Sequence, residues 1–501
     1  MLVPHNTIED VEAMLNNTVI GPEKTLDPPD WNELRRVGHR MVDEMMSYLE
    51  TVGERPVWQP IPEEVKANYR DPVPLQGEGI ESAYEEFKRD ILPYPLGNIH
   101  PRFWSWVCGT GTPGAMLAEM LAAAMNSNVH GGEQSAIYIE QQVISWLKQA
   151  LGFPSEASGL LVDGGSMANF VGLAVARNAK AGWDAKADGL TAGPPLVLYC
   201  SSETHNSVQK AVEILGLGSN ALRQIGVDGE YRIRFDELRR AVAADRQQGK
   251  RPICVIGNAG TVNSGAIDDL SALADFCREE SLWFHVDGAF GALAALSPRL
   301  RPALRGMERA DSLAFDLHKW LYMPYDVGCT LVRSEEQHRK TFGYTAAYLD
   351  PHRRGLTSGP ISFSQYGLEL SRGFRALKVW FSIKEHGLNA FQAMIEQNLE
   401  QCRYLSELVE STPELELLAP VPLNVVCFRF RGKMSDESRL LEINREIVLQ
   451  LQEQGIAAPS TTIIGGKFAI RVANVNHRTR REDFEVLVFE VTRIGRKLQC
   501  Q

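Results

Sequence analysis

Trp283-Phe-His-Val-Asp-Gly-Ala-Phe290 and, after it, Ser312-Leu-Ala-Phe-Asp-Leu-His-Lys-Trp-Leu321 decide how this chain is read. Each begins as a short apolar run; the first ends on Asp287 and the second leads into Lys319. Short apolar runs bounded by small or polar residues predict strands buried on both faces. A lysine just beyond a buried strand is costly unless its charge is removed or used. A carboxylate ending the preceding strand brings both groups to one rim of a parallel sheet, the edge where α/β folds bind ligands. Taken singly, these are a strand-end lysine and a structural aspartate. Taken together they mark a site.

Working outward, the same alternation continues. Strands over 160–162, 196–200 and 253–256 are each followed by a helix, from Ser166, from His205 and over 270–279. Strands over 283–286, 312–315 and 329–332 complete a mostly parallel sheet covered on both faces. Beyond a long helical region over 366–409, the segments 425–430, 437–454, 468–472 and 481–497 predict a smaller α+β domain. Upstream, apolar residues from Leu34 to Leu49 recur at helical spacing, with Arg35, Arg36, His39 and Arg40 on the wet face. The proline-studded stretch 55–74 reads as an extended arm that packs on another subunit, a first sign of a dimer. The expected division is 1–95, a helical dimerisation arm; 96–385, the large domain; and 386–501, the small one.

The 501 residues carry a net charge of -11, with 44% hydrophobic and 23% charged residues. That balance argues against a general nucleic-acid or anionic-membrane binder. The first residues include acidic side chains and no apolar core, unlike a secretory signal. No apolar run is long enough to span a bilayer. Eight scattered cysteines without a CxxC pair fit a reduced cytoplasmic protein with no disulfide framework and no metal site.

Two further turns carry chemistry. Asp163-Gly-Gly-Ser-Met-Ala-Asn169 lies between a strand and a helix, where Gly165 lets backbone approach closely and free N–H groups attract a phosphate. Ser166 adds a hydroxyl. Ser201-Ser-Glu-Thr-His-Asn206 also follows a strand, and places His205 on the same rim.

In combination, GGSMAN, SSETHNS, GTVNSGAID, HVDGAFG and DLHKW resemble the group II pyridoxal-dependent decarboxylases, the aromatic-amino-acid decarboxylases most closely. The likeness covers nearly the whole chain, including HPRFW around Pro101 and LSRGFRALKVWF at 370–381. It implies an α/β fold of the fold type I pyridoxal-enzyme class, a homodimer with shared sites, and pyridoxal 5'-phosphate bound to Lys319 as a Schiff base. By the same resemblance Asp287 binds the ring nitrogen, His205 stacks on the ring, and Gly165 and Ser166 hold the phosphate. Ala289 packs on the other ring face, with His318 beside the lysine. Tyr348 falls where the family places the tyrosine that protonates the carbanion left by CO₂, in the partner subunit's site. The implied reaction is α-decarboxylation of an L-amino acid to its amine.

Asp316 stands where many aromatic decarboxylases have a phosphate-binding asparagine, so it is expected either to bind through its backbone or to be protonated. Val262 replaces a threonine common in the family, and Asn98 a position often aromatic in animal members. Trp104 and Trp106 are expected beside the substrate and favour an aromatic one. Ser371, at a specificity position, leans toward tyrosine or dopa over the phenylalanine and tryptophan classes. An acidic amino-acid decarboxylase and an aldehyde synthase are the near alternatives. From another class, Gly109-Thr-Gly-Thr-Pro-Gly114 matches the GxGxxG pattern of nicotinamide-dinucleotide oxidoreductases. Pro113 inside the motif, and the lack of a second Val/Ile-rich strand before Glu133, make it an ordinary glycine-rich turn. A catalytically dead scaffold is disfavoured by the intact set Lys319, Asp287, His205 and Tyr348.

Overall fold

The computed structural model describes residues 24–344 and 354–500. Twelve strands occur among them: β1 (Phe103–Trp104), β2 (Ser158–Val162), β3 (Leu196–Ser201), β4 (Leu222–Ile225), β5 (Arg251–Asn258) and β6 (Trp283–Asp287), followed by β7 (Ser312–Asp316), β8 (Gly328–Val332), β9 (Leu415–Leu417), β10 (Val425–Phe430), β11 (Ala458–Ile464) and β12 (Lys467–Ala473). Seven form one sheet in the order β2-β8-β7-β6-β5-β3-β4, and five form another in the order β1-β11-β12-β10-β9.

In the large sheet every pair is parallel except those made by β8, which runs against both β7 and β2. The mostly parallel sheet expected from the apolar runs is therefore present. Its strands are buried on both faces, and β3 shows how. Leu196, Leu198 and Cys200 pack with the helices Gly165–Lys180 and Asn206–Ile214. Val197 and Tyr199, alternating with them, enter the core on the opposite face. Because β8 is reversed, its first residue, Gly328, lies level with the last residues of its neighbours, opposite Val162 and Asp316. That places the ends of β2 and β7 and the start of β8 on one edge.

The small sheet is antiparallel apart from β1, which joins β11 in parallel. Val426, Phe428 and Phe430 of β10 pack under the helices Glu437–Glu453 and Arg481–Gln499. Val425 and Cys427 turn to the main core instead. The expected helical stretch over 366–409 is two helices, Arg375–His386 and Leu388–Ser411, broken at Gly387 with φ 72°.

The described residues form two compact units, one of 24–49 with Asp71–Pro93, the other of Glu50–Arg70 with 94–344 and 354–500. In the first, the helix Trp31–Glu50 meets the helix Ile80–Glu86. Tyr84 Oη donates to Glu44 at 2.8 Å and Arg40 to Glu81 at 2.5 Å, so Arg40 does more than face solvent. The arm expected over 55–74 is corrected in part. Val57 is buried with Phe103 and Ala458, and its N–H donates to Gly455 O at 3.0 Å, so the start of this stretch packs on its own chain.

Candidate active site

β6 and β7 are neighbours in register, and each ends on an aspartate, Asp287 and Asp316. The chain then turns into the short helix Leu317–Trp320, which carries Lys319. Trp320 and Tyr322 follow the lysine and are fully buried; the indole N–H and the phenol both donate to Asn398 Oδ1, at 3.1 and 2.7 Å. The lysine segment is thus clamped to the helix Leu388–Ser411.

Lys319 opens on a cavity of about 280 Å³ at this edge. The sequence-predicted residues Gly165, Ser166, His205, Ala289, Asp316, His318 and Lys319 all line it, together with Asn169 and Ser207, which the sequence reading did not single out. Asp287 lies just behind the wall, 5% exposed. Its Oδ1 accepts from Ala289 N at 3.1 Å and its Oδ2 from Asn169 Nδ2 at 3.0 Å, so it is held by two residues that do line the cavity.

Lys319 Nζ pairs with Asp316 Oδ2 at 2.8 Å. Burial alone would pull the ammonium down, but the charge and hydrogen bond of Asp316, with help from Asp287, raise the lysine above its ordinary value. Asp316 is engaged through both its backbone and its side chain. Its backbone N–H is already given to Ala289 O at 2.8 Å, and its carboxyl serves as counter-ion to the lysine. Its second oxygen, Oδ1, is buried without a hydrogen-bond partner, 3.8 Å from His318 Nε2. His318 Nδ1 accepts from Val327 N at 3.2 Å, and burial holds this imidazole below its usual value although Asp316 pulls the other way.

This arrangement suits pyridoxal phosphate. A primary amine stands next to a strand-end carboxylate, and the helix Gly165–Lys180 begins at a Gly-Gly-Ser turn whose first N–H groups have no partner within the helix, as a phosphate site requires. An orphaned buried carboxylate oxygen beside the amine shows that the edge is not complete by itself.

None of the four predicted substrate residues lines this cavity. Trp104 is 1% exposed in the core of the small sheet, stacked on Phe484 at 4.9 Å, with its N–H on Thr479 Oγ1 at 3.2 Å. Trp106 is exposed, with φ 53°, and its carbonyl accepts from Arg471. Ser371 is exposed outside the cavity wall. Asn98 donates to Gly109 O at 2.8 Å. A Cβ on Gly109 would lie 1.9 Å from His318 O, so this glycine is required by close approach to the lysine segment. That also disposes of the dinucleotide reading, since Pro113 begins the helix Pro113–Met125 and the preceding strand is the two-residue β1 of the small sheet. Tyr348 lies outside the described residues.

Residues 62–431 match the family described as the pyridoxal-dependent decarboxylase conserved domain. The chain is 34% identical over 470 residues to an aromatic-L-amino-acid decarboxylase of Bacillus atrophaeus, covering 93% of this chain and 96% of that one. Among solved structures it resembles Oryza sativa TDC with PLP and tryptamine, at TM-score 0.88 and 26% identity, covering 94% and 99% of the two chains. It also resembles Catharanthus roseus tryptophan decarboxylase in complex with L-tryptophan, at TM-score 0.85 and 26% identity over 94% and 100%.

Proposed function

Since the chain belongs to the pyridoxal-dependent decarboxylase family, and is a pyridoxal-phosphate-dependent amino-acid carboxy-lyase, we propose that its substrate is an aromatic L-amino acid, converted to the amine and CO₂. The observation that carries the reading is the shared edge of β6 and β7, which opens the Lys319 amine on the cavity and sets the Asp287 carboxylate just behind its wall. When bound, the cofactor supplies an electron-withdrawing ring that takes up the electron pair left behind by CO₂. The chain supplies the rest. Lys319 offers the amine that holds the cofactor, and Asp287 keeps a proton at the ring nitrogen. His205 and Ala289 would lie against the ring, and Gly165 and Ser166 would hold the phosphate at the helix start. Tyr348 delivers the proton to the substrate Cα.

The aromatic class is supported by the Bacillus atrophaeus relative and the two plant structures, and not by Trp104, which is committed to the small-sheet core. The active species is a homodimer. Met120, Leu121 and Met125 stand exposed on the helix Pro113–Met125, an apolar surface suited to a second copy of the chain. Eight free cysteines suit a reducing, cytoplasmic compartment, and no helix among the described residues is long and apolar enough to cross a membrane.

The test is incubation of the pure protein with pyridoxal phosphate and a panel of L-amino acids, with CO₂ and amine read by mass. Aromatic substrates should dominate; faster turnover of glutamate would overturn the class. In the same assay Tyr348→Phe should keep CO₂ release but divert product from amine toward aldehyde and peroxide. An unchanged amine yield at an unchanged rate would remove Tyr348 from its role.

A further inference from the structure

At and behind the cavity wall, six buried side chains, Trp283, Ser312, His285, Asn169, Asp287 and Ser207, form a continuous chain of hydrogen bonds that ends at His205. Trp283 Nε1–H can only donate, and it does so to Ser312 Oγ at 2.8 Å. The Ser312 hydroxyl proton then goes to His285 Nδ1, at 2.7 Å. His285 is fully buried, and burial depresses it to about 3, so it is neutral and carries its one proton on Nε2. That N–H donates to Asn169 Oδ1 at 2.9 Å. The Asn169 amide must therefore present its NH₂ the other way, to Asp287 Oδ2 at 3.0 Å and to Ser207 Oγ at 3.2 Å.

The far end gives the same answer independently. Ser207 N–H, another obligate donor, reaches His205 Nδ1 at 3.2 Å, so that ring nitrogen is an acceptor. The Ser207 hydroxyl, 2.8 Å from the same nitrogen, donates to it and accepts from Asn169. The donor-only groups at both ends fit this one orientation, which also turns the Asn169 NH₂ to the Asp287 carboxylate. Neutral His205 is left with its proton on Nε2.

We infer that Asn169 is a positioning residue for the cofactor site, its amide oriented by a one-way relay that starts at the Trp283 indole and ends on Asp287 and His205. The amide ties together the two residues assigned to the ring nitrogen and the ring face. Reversing it would aim an oxygen at the Asp287 carboxylate, which costs rather than stabilises. The inference rests on the reading of Asp287 as partner of the ring nitrogen.

The experiment is titration of the apoprotein with pyridoxal phosphate across a range of pH, read by quenching of intrinsic fluorescence. Asn169→Asp keeps the shape but sets a second carboxyl against Asp287, and two carboxylates in contact cannot both ionise. At the acid end the retained proton replaces the lost N–H, and affinity should approach wild type. As pH rises past the loss of that proton, affinity relative to wild type should fall by about tenfold or more. A mutant-to-wild-type ratio that does not change with pH overturns the inference.

Ser312→Ala removes one hydroxyl at a fully buried position that does not line the cavity, and it tests the relay even if Asn169→Asp fails to fold. Cofactor affinity should drop severalfold with the circular dichroism unchanged, and Ser312→Thr should restore it. Unaltered affinity in Ser312→Ala overturns the relay. Asp287→Asn in the same titration separates the two ideas. If it binds as wild type does, the reading of Asp287 fails; if it alone weakens binding, only the relay fails.

Discussion

The seven-stranded and five-stranded sheets each bury an asparagine on a covering helix, and the two are used in opposite ways. Asn444, fully buried on the helix Glu437–Glu453, donates to Phe430 O and Leu440 O at 2.8 Å each and accepts from Phe430 N at 2.7 Å. All its partners are backbone, so it is a staple between helix and strand. Asn169, 1% exposed on the helix Gly165–Lys180, makes its bonds to Asp287, Ser207 and His285, all side chains. The difference follows from strand direction. Parallel strands end together and bring polar side chains to one edge, where they find one another. The antiparallel strands of the small sheet have no such common edge, and polar groups there are spent on holding the fold.

Three substitutions would break or sharpen that contrast. Lys319→Ala, at the large-sheet edge, should lower turnover by about 10⁴-fold, a barrier rise of about 5 kcal/mol, with the fold intact by circular dichroism. Turnover within an order of magnitude of wild type would place the chemistry elsewhere. Asn444→Ala should do the reverse. It leaves Phe430 N–H buried without an acceptor and should cost about 3 kcal/mol in denaturant unfolding, while turnover per folded molecule stays at the wild-type value. A specific loss of activity there would erase the distinction between the two sheets. Smallest is Trp104→Phe, which keeps the stack on Phe484 but loses the bond to Thr479. It should cost about 1 kcal/mol and leave the order of substrate preference unchanged; a changed order would return Trp104 to the pocket.

What could be read from residues alone follows the same division. Trp283-Phe-His-Val-Asp287 and Ser312-Leu-Ala-Phe-Asp316 announce themselves because a fully buried parallel strand is apolar until its end. The β11 segment Ala458–Ile464 escaped because it is half exposed and rich in Ser and Thr, and β4 because it is a four-residue edge strand. With β11 unseen, there was no way to know that Trp104 joins it in the small sheet and turns into that core. The relay left no local trace at all, since Asn169 and His285 are 116 residues apart and meet only when the helix after β2 crosses the sheet. Asp316 was recognised as out of pattern, but its pairing with Lys319 depends on the turn of one short helix.

The reversed strand β8 has a consequence for how this protein can change. Its opening glycine faces Asp316 so closely that a Cβ there would lie 2.8 Å from Oδ1 and 2.7 Å from Gly164 Cα. A Cβ on Gly165, arriving from the end of β2, would lie 2.7 Å from Oδ2. One carboxylate is therefore enclosed by bare backbone from two directions, and neither glycine can acquire even a methyl group without moving it off the lysine. For directed evolution this edge is a fixed point. Libraries aimed at new substrates should leave 165, 316 and 328 alone, together with the cofactor residues that line the cavity, and spend their diversity outside that wall, so that variants are lost to altered selectivity and not to an empty cofactor site.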